Sequence, residues 1–165
     1  MKQLDADTYL AELSWKARRR RHPDSVTFEL TYGCNLRCVH CFNPTHRALP
    51  QELTTGEIQT ILDQLAELGV LTVTFTGGEL GTRPDLQEIF CHARQRGLVI
   101  RILTNATRVT TEFVRLLHDV GAEQACVSIY GATAATYERM TAVAGSYTAF
   151  RRGLALLASG AVPVV

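Results

Sequence analysis

Beyond residue 25, short runs rich in β-branched and aromatic residues alternate with apolar stripes at helical spacing. That alternation confines the chain to an α/β fold built on a parallel sheet. Residues 26–30, 71–75, 98–103 and 125–129 read as strands one to four. Between the first two, Thr54 and Glu57 offer a capping box, and Ile58, Ile61, Leu62 and Leu65 recur at helical spacing until Gly69. Pro84 suits the first turn of a second helix, whose stripe of Leu86, Ile89, Phe90 and Ala93 stops before Gly97. A third helix begins near Thr111, carries Phe113, Leu116, Leu117 and Val120, and closes at Gly121. A short helix over 136–140 and a longer one with Phe150, Leu154 and Leu157 lead to Gly160, after which 161–165 begin a fifth strand.

Two segments follow from this reading. Residues 1–23 form an N-terminal helical and basic segment, with Leu4, Tyr9, Leu10, Leu13 and Trp15 on the helix and Arg18, Arg19, Arg20 and Arg21 as a solvated arm. Residues 24–165 form the main domain. Parallel strands are covered on both faces, so an ending on Val162-Pro163-Val164-Val165 reads as a sheet lacking its last unit or units. A helix or partner chain covering a natural edge is the alternative. The isolated 165 residues are accordingly expected to be poorly soluble or inactive.

A formal net charge of +1 supplies no field for a polyanion, so neither nucleic acid nor an acidic membrane surface is an expected partner. No apolar run approaches the ~20 residues that span a bilayer. The start of the chain also lacks a signal-peptide core, and the protein reads as cytoplasmic. In that reducing compartment its five cysteines are ligands or buried small residues rather than a disulfide framework.

The chemistry-bearing residues follow the strands. Cys34, Cys38 and Cys41 come after strand one, Thr76-Gly77-Gly78-Glu79 after strand two, Thr104-Asn105 after strand three, and residues 128–131 at the end of strand four. In βα architectures the carboxyl ends of strands share one pocket, so four separate segments point to one site. Three thiols suit a four-iron cluster with one open iron, whereas a closed zinc site needs a fourth ligand. His40 or His46 could supply it.

Cys34-Asn35-Leu36-Arg37-Cys38-Val39-His40-Cys41 resembles the CxxxCxxC loop of the radical SAM superfamily. Thr76-Gly77-Gly78-Glu79 is similar to that family's motif for the amino group of S-adenosylmethionine, and Thr104-Asn105 and Val127-Ser128-Ile129 to segments lining the cofactor's polar parts. The stretch through Ile129-Tyr130-Gly131, Thr136-Tyr137-Glu138 and Gly145-Ser146-Tyr147 resembles the SPASM-type branch that modifies peptides or proteins. The chain departs from the pattern at Leu80, where proline is usual, at Thr141-Ala142, where Arg-Gly or Thr-Gly is usual, and at Ala144.

The resemblance implies a partial (β/α)₆ TIM-like barrel. It implies a 4Fe–4S cluster on Cys34, Cys38 and Cys41, with Gly77, Gly78, Glu79, Asn105, Ser128 and His40 around S-adenosylmethionine. The bound cofactor would yield a 5′-deoxyadenosyl radical that abstracts hydrogen from a peptide or protein, and a flavodoxin or ferredoxin would supply the electron. No side chain is assigned a catalytic role. A structural zinc module and a non-catalytic fragment that retains the fold remain the rival readings. Cys91 and Cys126 read as buried small residues, Tyr32 and Phe42 as packing for the base of the cysteine loop, and His22, His92 and His118 receive no role.

Overall fold

The computed structural model describes residues 23–43 and 45–165, together with Asp5, Thr8, Tyr9, Ala11, Glu12, Trp15, Lys16 and Arg19. Of the expected N-terminal helix, Tyr9 and Trp15 are described and helical, whereas Leu4, Leu10 and Leu13, together with Arg18, Arg20 and Arg21 of the basic arm and His22, lie outside the described residues. Four strands, β1 (Ser25–Glu29), β2 (Thr72–Thr76), β3 (Val99–Thr104) and β4 (Gln124–Val127), form one sheet in the order β1-β2-β3-β4, every pair parallel. Helices α1 (Thr55–Glu67), α2 (Leu86–Gln95) and α3 (Thr111–Asp119) connect them, and α4 (Ala134–Thr141) and α5 (Ser146–Ala158) follow β4. The expected fifth strand begins. Ala125 N–H donates to Pro163 O at 2.9 Å, and Val165 N–H donates back to Ala125 O at 3.0 Å.

Local signals explain most boundaries. Glu57 and Thr54 close the capping box at α1, a contribution of about 1 kcal/mol. Thr110 caps α3 and Thr133 caps α4, which starts ahead of the expected residue 136. Pro84 sits before α2 rather than inside it. A 3₁₀ turn at Leu80–Thr82 intervenes, and Asp85 at the helix start ties its carboxylate to Arg83 and Thr55 instead of capping.

The strands differ from the expected two-sided apolar runs. Val73, Phe75, Ile100, Ile102 and Ala125 are fully buried on one face, where Phe75 stacks on Phe90 of α2 with ring centroids 5.0 Å apart. Their neighbours Thr72, Thr74, Thr76, Arg101 and Gln124 alternate to the other face and are only half-buried. Alternation of this kind packs helices on one face and leaves a polar face inside the curved sheet. Among the described residues no helix is long and apolar enough to cross a membrane.

Candidate functional site

The carboxyl ends of the four strands and the loop after β1 enclose a cavity of about 250 Å³. Cys34, Cys38 and Cys41 line it, with Gly77 and Gly78 after β2, Asn105 after β3 and Ser128 after β4. Parallel register brings these separated segments together, because all four strands end at the same rim.

Side chains rather than regular structure shape the cysteine loop. Glu52 accepts from Thr31 Oγ1 at 3.0 Å, Tyr32 N at 2.7 Å and Leu49 N at 3.1 Å. Buried Asn43 donates to Tyr32 O at 2.6 Å and accepts from Thr45 N and His46 N, both at 3.1 Å. The middle of the loop hangs on α4. Arg37 N and Val39 N donate at 2.9 Å to the carbonyls of Thr141 and Met140, which a helix end otherwise leaves without partners.

The thiols receive hydrogen bonds suited to thiolates: Leu36 N donates to Cys34 Sγ and Asn43 N to Cys41 Sγ, each at 3.4 Å. Burial nevertheless pushes the Cys34 thiol up, the Leu36 amide opposing it, and the nearby Glu79 and Cys41 charges add to the rise. Cys38 is pushed up by burial and then by Cys34 and Cys41. Three thiolates gathered in one cavity require a cation, and metal binding displaces their protons. The donor set therefore fits a thiolate-bound metal centre. Among the described residues no three His, Cys, Asp or Glu side chains converge closely enough to hold a single ion.

The two glycines serve a contact that the sequence does not announce. A Cβ on Gly78 would lie 2.3 Å from Gly33 O, and one on Gly77, whose φ is 147°, 2.5 Å from Thr31 O. Gly78 N and Glu79 N donate to Thr31 O and Gly33 O at 2.6 and 2.9 Å. Glycine thus lets the end of β2 press against the start of the cysteine loop while still lining the cavity.

Glu79 stands behind that wall rather than in it. The residue is 3% exposed, and its carboxylate accepts from Thr104 Oγ1 at 2.7 Å, Asn105 N at 2.8 Å and Gly81 N at 3.4 Å. Burial raises its carboxyl above the ordinary range even so, with the Asn105 amide the strongest opposing influence. Leu80, which replaces the usual proline, is fully buried in the core.

His40 is exposed at the cavity rim, its ring 5.0 Å from that of Tyr130. The Tyr130 hydroxyl in turn favours the Cys38 thiolate. His46 also lines the cavity, in the left-handed region at φ 51°, and its carbonyl accepts from Cys34 N at 3.1 Å. Phe42 does not pack the base of the loop: it is 78% exposed, because Asn43 and Glu52 fasten the loop with polar contacts instead. Tyr32 is half-buried, and its carbonyl takes the Asn43 amide. Cys91 and Cys126 are half-buried rather than buried, the first against the core from α2 and the second on the polar sheet face. Asn43 and Glu52 were not legible as site residues, whereas Tyr130 lies in the 128–131 segment that the sequence places at the strand-end rim. Of the former two, only Asn43, two residues past Cys41, carries a usable signal, since asparagine favours side-chain turns of this kind.

Residues 28–165 match the family described as the Radical SAM superfamily. The chain belongs to that superfamily. It is 36% identical over 142 residues to the AdoMet-dependent heme synthase of Methanosarcina barkeri, covering 86% of this chain and 41% of that one. It is likewise 36% identical over 126 residues to the PqqA peptide cyclase of Rhodopseudomonas palustris, covering 76% and 33%. The solved structure of histidine-tagged anSMEcpe with bound AdoMet superposes with a TM-score of 0.72 at 15% identity, covering 86% of this chain and 42% of that one. The likeness confirms the fold as part of a radical SAM barrel of parallel strands and helices. The chain thus spans well under half the length of these proteins.

Proposed function

We infer that this chain is the cofactor-cleaving core of a radical SAM enzyme that modifies a peptide or protein. The observation that carries the reading is the convergence of Cys34, Cys38 and Cys41 with Gly77, Gly78 and Ser128 on one cavity. Cys34, Cys38 and Cys41 are the residues that would hold a 4Fe–4S cluster. When bound, such a cluster would supply the low-potential electron for reductive cleavage of S-adenosylmethionine, the source of radical chemistry at this site.

This chain's own residues bind, orient and shield. Gly77, Gly78 and Ser128 line the cavity, where the glycine backbone would receive the cofactor's amino-acid end and the Ser128 hydroxyl its polar groups. His40 and Tyr130 form an aromatic wall over the rim that limits water. The α4 carbonyls hold the loop in register, and would do so around a bound cofactor. Similarity to a protein named as a peptide cyclase supports a peptide substrate. A low-potential flavodoxin or ferredoxin in the cytoplasm is the matching electron source.

The test is anaerobic reconstitution with iron and sulfide, followed by strong reductant and S-adenosylmethionine. A brown protein that releases 5′-deoxyadenosine, with both properties lost in Cys38→Ala, is the expected result. A colourless product loaded with zinc would sink the cluster assignment, and a brown product that releases no 5′-deoxyadenosine would sink the catalytic one.

A further inference from the structure

Asn105 is 6% exposed, and a closed ring of contacts settles which way its amide faces. Its backbone N–H donates to Glu79 Oε2 at 2.8 Å. Its Oδ1 accepts from Thr107 N at 2.9 Å and from Thr107 Oγ1 at 2.5 Å. Thr107 Oγ1 accepts in turn from Asn35 Nδ2 at 2.7 Å, and Asn35 Oδ1 faces Asn105 Nδ2 at 3.4 Å. Exchanging the amide oxygen and nitrogen would set donor against donor at Thr107 N and acceptor against acceptor at Asn35 Oδ1, so the orientation is determined by the ring. One Nδ2 hydrogen serves Asn35. The other faces Cys34 Sγ, 3.9 Å away, at the long end of the range for sulfur.

We propose that Asn105 is a hydrogen-bond donor to the Cys34 thiolate and raises the reduction potential of the metal centre that Cys34 helps to hold. The proposal rests on the cluster reading above. Reduction adds negative charge that the sulfur ligands share, and a donor aimed at a sulfur stabilises the more negative state. Burial of Asn105 strengthens the effect, because little water competes for its amide. Asn105 thereby acts on the cluster, a different task from donating to the cofactor's ribose or carboxylate. Its amide is already committed on three sides before any cofactor enters.

The experiment is an EPR-monitored redox titration of the reconstituted protein, without S-adenosylmethionine, with iron content measured in parallel. Asn105→Ala is expected to keep wild-type iron and to shift the midpoint to a more negative potential. Asn105→Leu removes the donor without adding charge and is expected to shift the midpoint the same way, which keeps the test intact if the alanine variant loses iron. An unchanged midpoint in an iron-loaded variant overturns the proposal. So does failure of both variants to load, which would make Asn105 a structural residue. Failure of the wild-type protein to form a cluster at all overturns instead the cluster reading on which the proposal stands.

Discussion

Two turns grip the cysteine loop, and they do so by opposite means. After β2, Gly77 and Gly78 press backbone to backbone against Thr31 and Gly33 at distances that exclude any Cβ. After α4, Thr141 and Met140 reach the loop only through carbonyls that accept from Arg37 and Val39, and the next residue, Ala142, takes a left-handed conformation at φ 53° without being glycine. The first contact is steric and tolerates nothing larger than hydrogen. The second is a pair of hydrogen bonds that survives a strained alanine. Glycine is therefore required where backbones touch and is merely preferable where a helix turns.

Substitutions can break this contrast. Gly78→Ala forces a methyl group to 2.3 Å from Gly33 O, with backbone on both sides and no flexible side chain to yield. Destabilisation on the order of 3 kcal/mol is expected, with loss of iron retention, read from a urea midpoint and from iron content after reconstitution.

The β2 side also carries an acid-sensitive clamp. Arg83 donates to Leu30 O at 2.8 Å and pairs with Asp85, whose carboxyl its hydrogen bonds hold down at about 2 against an ordinary 3.8. The folded value is depressed, so the contribution is complete above pH ~4 and fades as pH falls toward ~2. Asp85→Asn is expected to cost about 2 kcal/mol at neutral pH. It should also flatten stability against pH in that acid window, and a slope equal to wild type would remove the clamp from the account.

On the α4 side, Thr141 Oγ1 and Ser146 Oγ are buried and 2.7 Å apart. Thr141→Val strands the serine hydroxyl at an expected cost of about 1–2 kcal/mol, measured by chemical denaturation. The smallest effect sharpens the comparison by reversing sign. Ala142→Gly relieves left-handed strain and should stabilise by about 0.5 kcal/mol after the added freedom of the unfolded chain is subtracted. A destabilised Ala142→Gly protein would mean that α4 grips the loop through the alanine methyl as well as its carbonyls.

Much of the scaffold is legible because each element carries its own local signal. The capping box at Thr54 and Glu57, the stripe of Ile89, Phe90 and Ala93, and the spacing of Cys34, Cys38 and Cys41 are short-range patterns, and each appears in the fold where it was expected. The protein partners of Glu79 were not legible. A carboxylate beside two glycines reads as a ligand for an ammonium group, and the hydrogen bonds that fix its direction come from Thr104 and Asn105, 25 and 26 residues away. The exposure of Phe42 was hidden for a similar reason, since the contacts that make its packing unnecessary come from Asn43 and Glu52.

What the amino-acid order alone determined is the βα alternation, the cysteine loop and the rim on which the site gathers, because hydrophobic period, capping and ligand spacing are properties of neighbours along the chain. What only the tertiary structure decided is which polar atoms remain free to act. Glu79 turns inward, Asn105 faces a thiol, and the glycines press on the loop behind the cavity, because hydrogen-bonding capacity is claimed by whichever partners folding brings within reach.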